Sequence, residues 1–147
     1  MPIFVSLIVL VLDQLVKAWV QSAMHPGMSI PVIPAFFHIT FILNPGAAFG
    51  ILANQRLFFI GIGAAMLLGA GCFYSRLKQQ DSWIRYGAAL LLGGAVGNLL
   101  DRIRYGVVVD FLDFRVWPVF NIADIAIVSG VGCIVYALLF RMKEKDC

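Results

Sequence analysis

The stretch IADIAIVSGVGCIVYALLF, Ile122–Phe140, decides the fold: 19 residues with one charge, Asp124, close to the start. A bilayer core takes about 20 mostly apolar helical residues, so this stretch reads as a membrane span. Three others follow the same pattern. They run from about Ile3 to Val20, from about Leu57 to Tyr74 and from about Tyr86 to Leu100, the first interrupted by Asp13 and Lys17. The whole chain is 61% hydrophobic and only 13% charged, against about 25% charged in a soluble domain. A water-soluble fold of 147 residues could not hide that much apolar surface. The first apolar stretch lacks a basic leader and an A-x-A site, so it is expected to be retained as a helix.

The links between spans suggest an orientation. Arg76, Lys78 and Arg85 cluster between the second and third spans, and Arg141, Lys143 and Lys145 follow the fourth. The positive-inside rule assigns that side, with both termini, to the cytoplasm. Arg56, Arg104 and Arg115 lie on the other side and weaken the asymmetry. The outer side then holds a long connection, about His25 to Gln55, and a shorter one, about Arg104 to Phe120. In the first, Phe36-Phe37-His38-Ile39-Thr40-Phe41-Ile42 is rich in β-branched and aromatic residues and reads as one or two short strands. The expected fold is an all-α integral membrane protein. It has four transmembrane helices, a small extracytoplasmic β-sheet platform and one domain over residues 1–147.

Charges in or near a span cost about 2.5–3.5 kcal/mol each on insertion scales and mark functional candidates. Asp13 and Lys17, four apart, share one helix face. They read as a self-neutralising ion pair or as contacts to a polar substrate backbone. Asn98, Asp101 and Arg102 end the third span; Arg102 can hold a carboxylate such as Asp101 by two hydrogen bonds. Asp110 follows Val107-Val108-Val109. It is either a partly desolvated acid suited to proton transfer or a surface turn carboxylate like Asp113. Asn121 and Asp124 open the fourth span with the spacing of a helix cap. A cap would also fix where Asp124 points. If Asp110 and Asp124 come together they share a proton, one acting as base and the other as acid.

Other chemistries find little support. The net charge of +3 forms no long basic patch, so no nucleic-acid partner is expected. Cys72, Cys133 and Cys147 lack metal-ligand spacing; the first two read as small apolar residues. No H-E-x-x-H or G-x-S-x-G motif occurs. Gly93-Gly94-Ala95-Val96-Gly97 lies inside a span and reads as a helix-packing surface. A proton-coupled transporter would want a carboxylate near mid-membrane, whereas these acids lie toward span ends on one side. A non-catalytic assembly subunit would not need them.

Five blocks now become recognisable: Asp13-Gln14-Leu15-Val16-Lys17; Asn44-Pro45-Gly46-Ala47-Ala48-Phe49-Gly50; Gly93 through Arg102; Gly106-Val107-Val108-Val109-Asp110-Phe111; and Phe120-Asn121-Ile122-Ala123-Asp124. In these the chain resembles the bacterial lipoprotein signal peptidases, or signal peptidase II, over nearly its whole length. The resemblance implies an aspartic endopeptidase of the bacterial inner membrane, active toward the periplasmic face. It would cut prolipoproteins before a diacylglyceryl-modified cysteine, with Asp110 and Asp124 as the catalytic pair. Asn44, Gly46, Asn98, Arg102 and Asn121 match that family's active-site surroundings, and Asp13, Lys17 and Asp101 its supporting polar residues. No metal or cofactor is implied. Lipidated prolipoproteins and membrane lipids are the expected partners, globomycin the expected type of inhibitor, and a monomer the expected state. The chain departs from many relatives in lacking basic residues at its N-terminus and in its brief Asp113–Phe120 connection.

Overall fold

In the computed structural model, residues 2–46 and 52–141 are described. The Ala47–Gly50 part of the second block lies outside them, as do Lys143, Lys145 and Cys147. Helix α1 is Ile3–Ala23, strands β1 and β2 are Ser29–Ile33 and Phe37–Asn44, and helix α2 is Arg56–Cys72. A single turn, α3 (Tyr74–Leu77), leads to α4 (Ser82–Tyr105), strand β3 (Val108–Asp113) and α5 (Ile122–Tyr136). A π-helical turn, Ala137–Arg141, continues α5. The chain is mostly helical with a three-stranded antiparallel sheet in the order β1-β2-β3.

Polarity is inverted relative to a soluble protein. Lys17, Asp13, Asp101, Asp110 and Asn121 are among the largest fully buried side chains, while Phe4, Leu7, Ile8, Leu15 and Trp19 of α1 stand exposed. The buried residues of α1 are Val9, Asp13, Lys17 and Val20, one face at helical spacing. Water would reverse this arrangement, because an unpaired charge is costly to bury and apolar surface costly to expose. Among the described residues, two helices are long and apolar enough to cross a membrane: Ile3–Ala23, and Ile122–Arg141 with its π-helical turn. Helix α2 is apolar but has 17 residues. Helix α4 has 24 residues and carries Asp101, Arg102 and Arg104 in its last turns.

Helix α4 is the central post. Gly93 faces the backbone of Ser6 on α1, and Gly94 faces the carbonyl of Ala123 on α5. The glycine-rich run is thus the packing surface expected from the sequence. Gly97 is the tightest case that touches the polar interior: a Cβ there would lie 2.6 Å from Asp13 Oδ2. Gly97→Ala is therefore expected to cost about 1–3 kcal/mol through forced displacement. A melt in detergent checks this, and an unchanged midpoint would contradict it. Helix α4 extends beyond the expected Tyr86–Leu100 at both ends. Asp81 caps its start by accepting from Trp83 N at 2.9 Å. Gly106 ends it with φ of 80°, its N–H bonded to Arg102 O; a residue with a Cβ adopts that conformation at a cost.

Stopping α4 at Gly106 leaves the chain from Val108 free to pair, with Val108 and Val109 opening the strand. Their branched side chains suit an extended chain, and β3 pairs with β2 along its length, with an irregularity between Ile39 and Ile42. The sequence left this region as a plain connection; it is the inner edge of the sheet. Val109 and Phe111 point into an apolar cluster with Val20, Met24 and Phe41. Val108 and Asp110 alternate to the opposite face. Asp113 does serve a turn, its Oδ1 accepting from Arg115 N at 2.8 Å, but it is not on the surface. It is buried at the end of β3, accepting from Thr40 Oγ1 at 2.7 Å and paired with Arg115 at 3.0 Å. Cys72 is exposed and Cys133 half-buried, both as free thiols.

Candidate active site

Three elements deliver the polar residues. Strand β3 carries Asp110, opposite Ile42 of β2, while Asn44 of β2 opposes Val108. Asn44 and Asp110 are thus diagonal neighbours on one face of the sheet. Helix α5 brings Asp124 through its own cap. Asn121 Oδ1 accepts from Asp124 N at 2.9 Å, and Asp124 Oδ2 accepts from Asn121 N at 3.3 Å. The cap read from the sequence is present as a full capping box. Helix α4 contributes Asn98, Asp101 and Arg102.

Behind them Lys17 spends all three ammonium hydrogens. It contacts Asp13 Oδ2 and Asp101 Oδ2, each at 2.8 Å, and Asn98 Oδ1 at 3.0 Å. Each of its carboxylates then holds one wall of the site. Asp13 Oδ1 accepts from Ala123 N at 3.0 Å, in the first turn of α5, where an anion suits the helix dipole. Asp101 Oδ2 accepts from Val109 N at 3.1 Å, one residue before Asp110. The expected Asp13–Lys17 pair is therefore half of a triad. With no donor hydrogen left over, Lys17 braces the walls.

Arg102 departs from the sequence expectation. It does not hold Asp101; Lys17 does. Its guanidinium lies 4.4 Å from the Phe59 ring centroid and donates to Gly46 O at 2.9 Å. Two contributors had no assigned role in the sequence. Gln14 donates to Asp101 Oδ1 at 3.0 Å, and its place inside the polar Asp13–Lys17 block was the available signal. Phe59 is the platform for Arg102, and an aromatic in an apolar helix gives no such signal.

The two unbraced carboxylates are Asp110 and Asp124. Asp110 is 2% exposed. Its Oδ1 accepts from Asn121 Nδ2 at 2.6 Å and its Oδ2 from Asn44 Nδ2 at 2.9 Å. Asp124 Oδ1 accepts from Asn98 Nδ2 at 2.7 Å, and Asn121 Nδ2 also reaches Asn98 Oδ1 at 3.1 Å. Burial, then the charge of Asp124, push the Asp110 carboxyl up to about 7, against the pull of its Asn44 and Asn121 donors and of Lys17. Both acids line one cavity of about 690 Å³ with Asn44, Gly46, Asn98 and Arg102. The rest of its wall is largely apolar: Ile62 and Met66 from α2, Leu99 from α4, Ile127 and Val128 from α5, and Trp117 to Phe120 from the brief connection. Among the described residues no group of three or more His, Cys, Asp or Glu could hold a metal ion.

Solved structures share this architecture. One, described as a bacterial membrane enzyme structure by the in meso method at 2.3 Å resolution, has TM-score 0.90 and 37% identity, covering 97% of this chain and 90% of that one. A second, described in the same words at 1.9 Å, has TM-score 0.81 and 36% identity, covering 94% and 92%. A lipoprotein signal peptidase of Pelotomaculum thermopropionicum is 49% identical over 90% of this chain and 87% of its own length. Another, of Moorella thermoacetica, is 46% identical over 97% and 95%. The fold is shared with these bacterial membrane enzymes. The family model described as Signal peptidase (SPase) II matches residues 5–140. The chain belongs to the signal peptidase II family, whose members are proteases.

Proposed function

We propose that Asp110 and Asp124 are the catalytic pair with which this chain carries out its family's reaction, the removal of signal peptides from prolipoproteins. One observation carries the reading: of the six described aspartates, these two alone face a common apolar cavity. Sharing one proton, they supply a base and an acid side by side. The base takes a proton from water, and the resulting hydroxide attacks the scissile carbonyl carbon. The acid protonates the carbonyl oxygen. Collapse of the tetrahedral species breaks the C–N bond as the aspartate that took the water proton gives it to the leaving nitrogen and a hydroxyl proton of the tetrahedral carbon returns to the other aspartate. It leaves a carboxyl group on the signal peptide and an amine on the cysteine of the lipoprotein. Asn44, Gly46, Asn98, Arg102 and Asn121 surround the reacting groups, with Asp13, Lys17 and Asp101 behind them.

The chain acts as a single domain, a monomer with four spans in the bacterial inner membrane. Helix α4 needs few apolar side chains because other helices enclose it, and α2 reaches membrane length with the following turn. Arg141 Nε lies 3.9 Å from Asp81 Oδ2, so the ends carrying Arg76, Lys78, Arg85 and Arg141 gather on one side, the cytoplasmic one. The sheet and the site then face the periplasm. The apolar cavity wall fits the acyl chains of a diacylglyceryl-modified cysteine and an inhibitor of the globomycin type. The lipid supplies binding energy that a soluble peptide lacks.

The test uses the purified full chain in detergent with a prolipoprotein, lipidated or not. The lipidated form is cleaved at least about tenfold faster, a modest share of what burying acyl methylenes is worth. Equal rates on both forms would contradict lipid recognition, and no cleavage of either would overturn the assignment.

The pH profile has a definite sign. A raised carboxyl value means the proton is present below it and lost above it. The mechanism needs one proton on the pair, so cleavage declines as pH rises through about 7. A rate that keeps rising to strongly alkaline pH would contradict the mechanism.

A further inference from the structure

The catalytic pair is symmetric in chemistry but not in its surroundings. Three asparagines feed hydrogens to it, and each amide is oriented by a group that can only donate. Lys17 Nζ needs an acceptor, so Asn98 turns Oδ1 toward it at 3.0 Å and offers Nδ2 to Asp124. Asp124 N needs an acceptor, so Asn121 turns Oδ1 toward it at 2.9 Å and offers Nδ2 to Asp110. Gly46 N needs an acceptor, so Asn44 turns Oδ1 toward it at 2.9 Å and offers Nδ2 to Asp110. None of the three can flip without setting donor against donor.

The count that follows is unequal. Both oxygens of Asp110 accept from amide hydrogens, at 2.6 and 2.9 Å. Asp124 has a close donor on Oδ1 only, at 2.7 Å, and its Oδ2 meets the Asn121 N–H at a long 3.3 Å. Donors favour the ionised form of the group they serve, and an oxygen bearing a proton accepts least well. We propose that the asparagine frame assigns the two roles: Asp110 is held as the carboxylate and general base, and Asp124 carries the shared proton on Oδ2 as the general acid.

The step near neutral pH belongs to the pair; it says that one proton is held, and the donors say where. In the forward step, water gives its proton to Asp110 as its oxygen bonds the carbonyl carbon, and the Asp124 Oδ2 proton passes to the carbonyl oxygen. The charges that face the pair are Lys17 and Arg102, which act on both acids, and Asp13 behind Asp124; Lys17 is a positioning residue here, since it also fixes the Asn98 amide at 3.0 Å.

This rests on Asp110 and Asp124 being the catalytic pair, and the experiment separates the two claims. Asn44→Ala removes a donor from Asp110 alone. Under the proposal Asp110 is ionised on both sides of the alkaline step, so that limb of the kcat/KM profile stays put. The acid limb, where Asp110 takes up a second proton, moves up by about one pH unit, the size of one charge-assisted hydrogen bond. The reverse pattern, a raised alkaline limb with a fixed acid limb, would overturn the proposal, as would no movement of either. Infrared spectra of the purified full chain give a second readout independent of turnover. At pH 6 the protonated-carboxyl stretch shifts in Asn98→Ala, whose amide serves Asp124, and holds its frequency in Asn44→Ala, whose amide serves Asp110. A shift in Asn44→Ala with none in Asn98→Ala overturns the assignment, as does no shift in either. Cleavage at the unaltered rate by Asp110→Asn or Asp124→Asn would instead remove that residue from the catalytic pair and take the underlying reading with it.

Discussion

Given a lipidated prolipoprotein in detergent, Asp110→Asn and Asp124→Asn are each expected to lose about 10²- to 10⁴-fold in cleavage rate, the worth of positioned acid–base catalysis. Asparagine keeps the size and planarity of aspartate, so the cavity retains its shape. What goes is the ability to give up or take a proton. The double variant is expected to fall little further than either single one, because two groups acting on one transition state do not lose their effects independently. The melting midpoint should stay close to that of the unaltered chain for Asp124→Asn and fall modestly for Asp110→Asn, whose new Nδ2 meets an amide donor that cannot turn away. Initial rates and melts on the same preparations check all of this. Full cleavage by one variant would strike that residue from the pair. A collapsed melt with lost activity would make the effect one of folding.

Lys17→Met is the converse, with its largest effect on stability. Lys17 is 1% exposed and faces two carboxylates, Asp13 at 0% and Asp101 at 1%. Removing the ammonium leaves two adjacent like charges with nothing to neutralise them. Breaking a buried ion pair by deleting one partner costs about 3–5 kcal/mol, a large share of the roughly 5–15 kcal/mol that holds a typical protein folded. The variant is expected to melt far below the unaltered chain and to be inactive. Lys17→Arg is not expected to rescue it: a longer, planar fork cannot reproduce three donors around one nitrogen. A wild-type melt for Lys17→Met would show that the triad does not hold the fold.

Much of this was legible beforehand, and what was not has identifiable causes. Helical spacing gave the Asp13–Lys17 pair because both partners sit on one helix. The cap made by Asn121 and Asp124 was legible for the same reason. Asp101 joining Lys17 was not: it lies 84 positions away, beyond the reach of any local period. Its neighbour Arg102 offered a nearer partner, yet the guanidinium settles on Phe59 and Gly46. Strand β3 was hidden because six residues with two aspartates among them, close to a helix end, look like a linker until a partner strand is known. Asp110 stands out once β3 pairs with β2. Spacing alone left it even with a surface carboxylate, and only the match of five blocks gave it a catalytic role.

The inverted burial described for α1 has a consequence for how this chain can drift over generations. Phe4, Leu7, Ile8, Leu15 and Trp19 are each more than half exposed, so many greasy residues serve there and selection has little to read. Four positions on the opposite face, Val9, Asp13, Lys17 and Val20, answer to other helices and strands. One helix therefore ages at two speeds, with an outer coat that records the solvent of its host and an inner seam that records the reaction. A sequence logo of α1 would be blank for most of its length and legible every third or fourth letter.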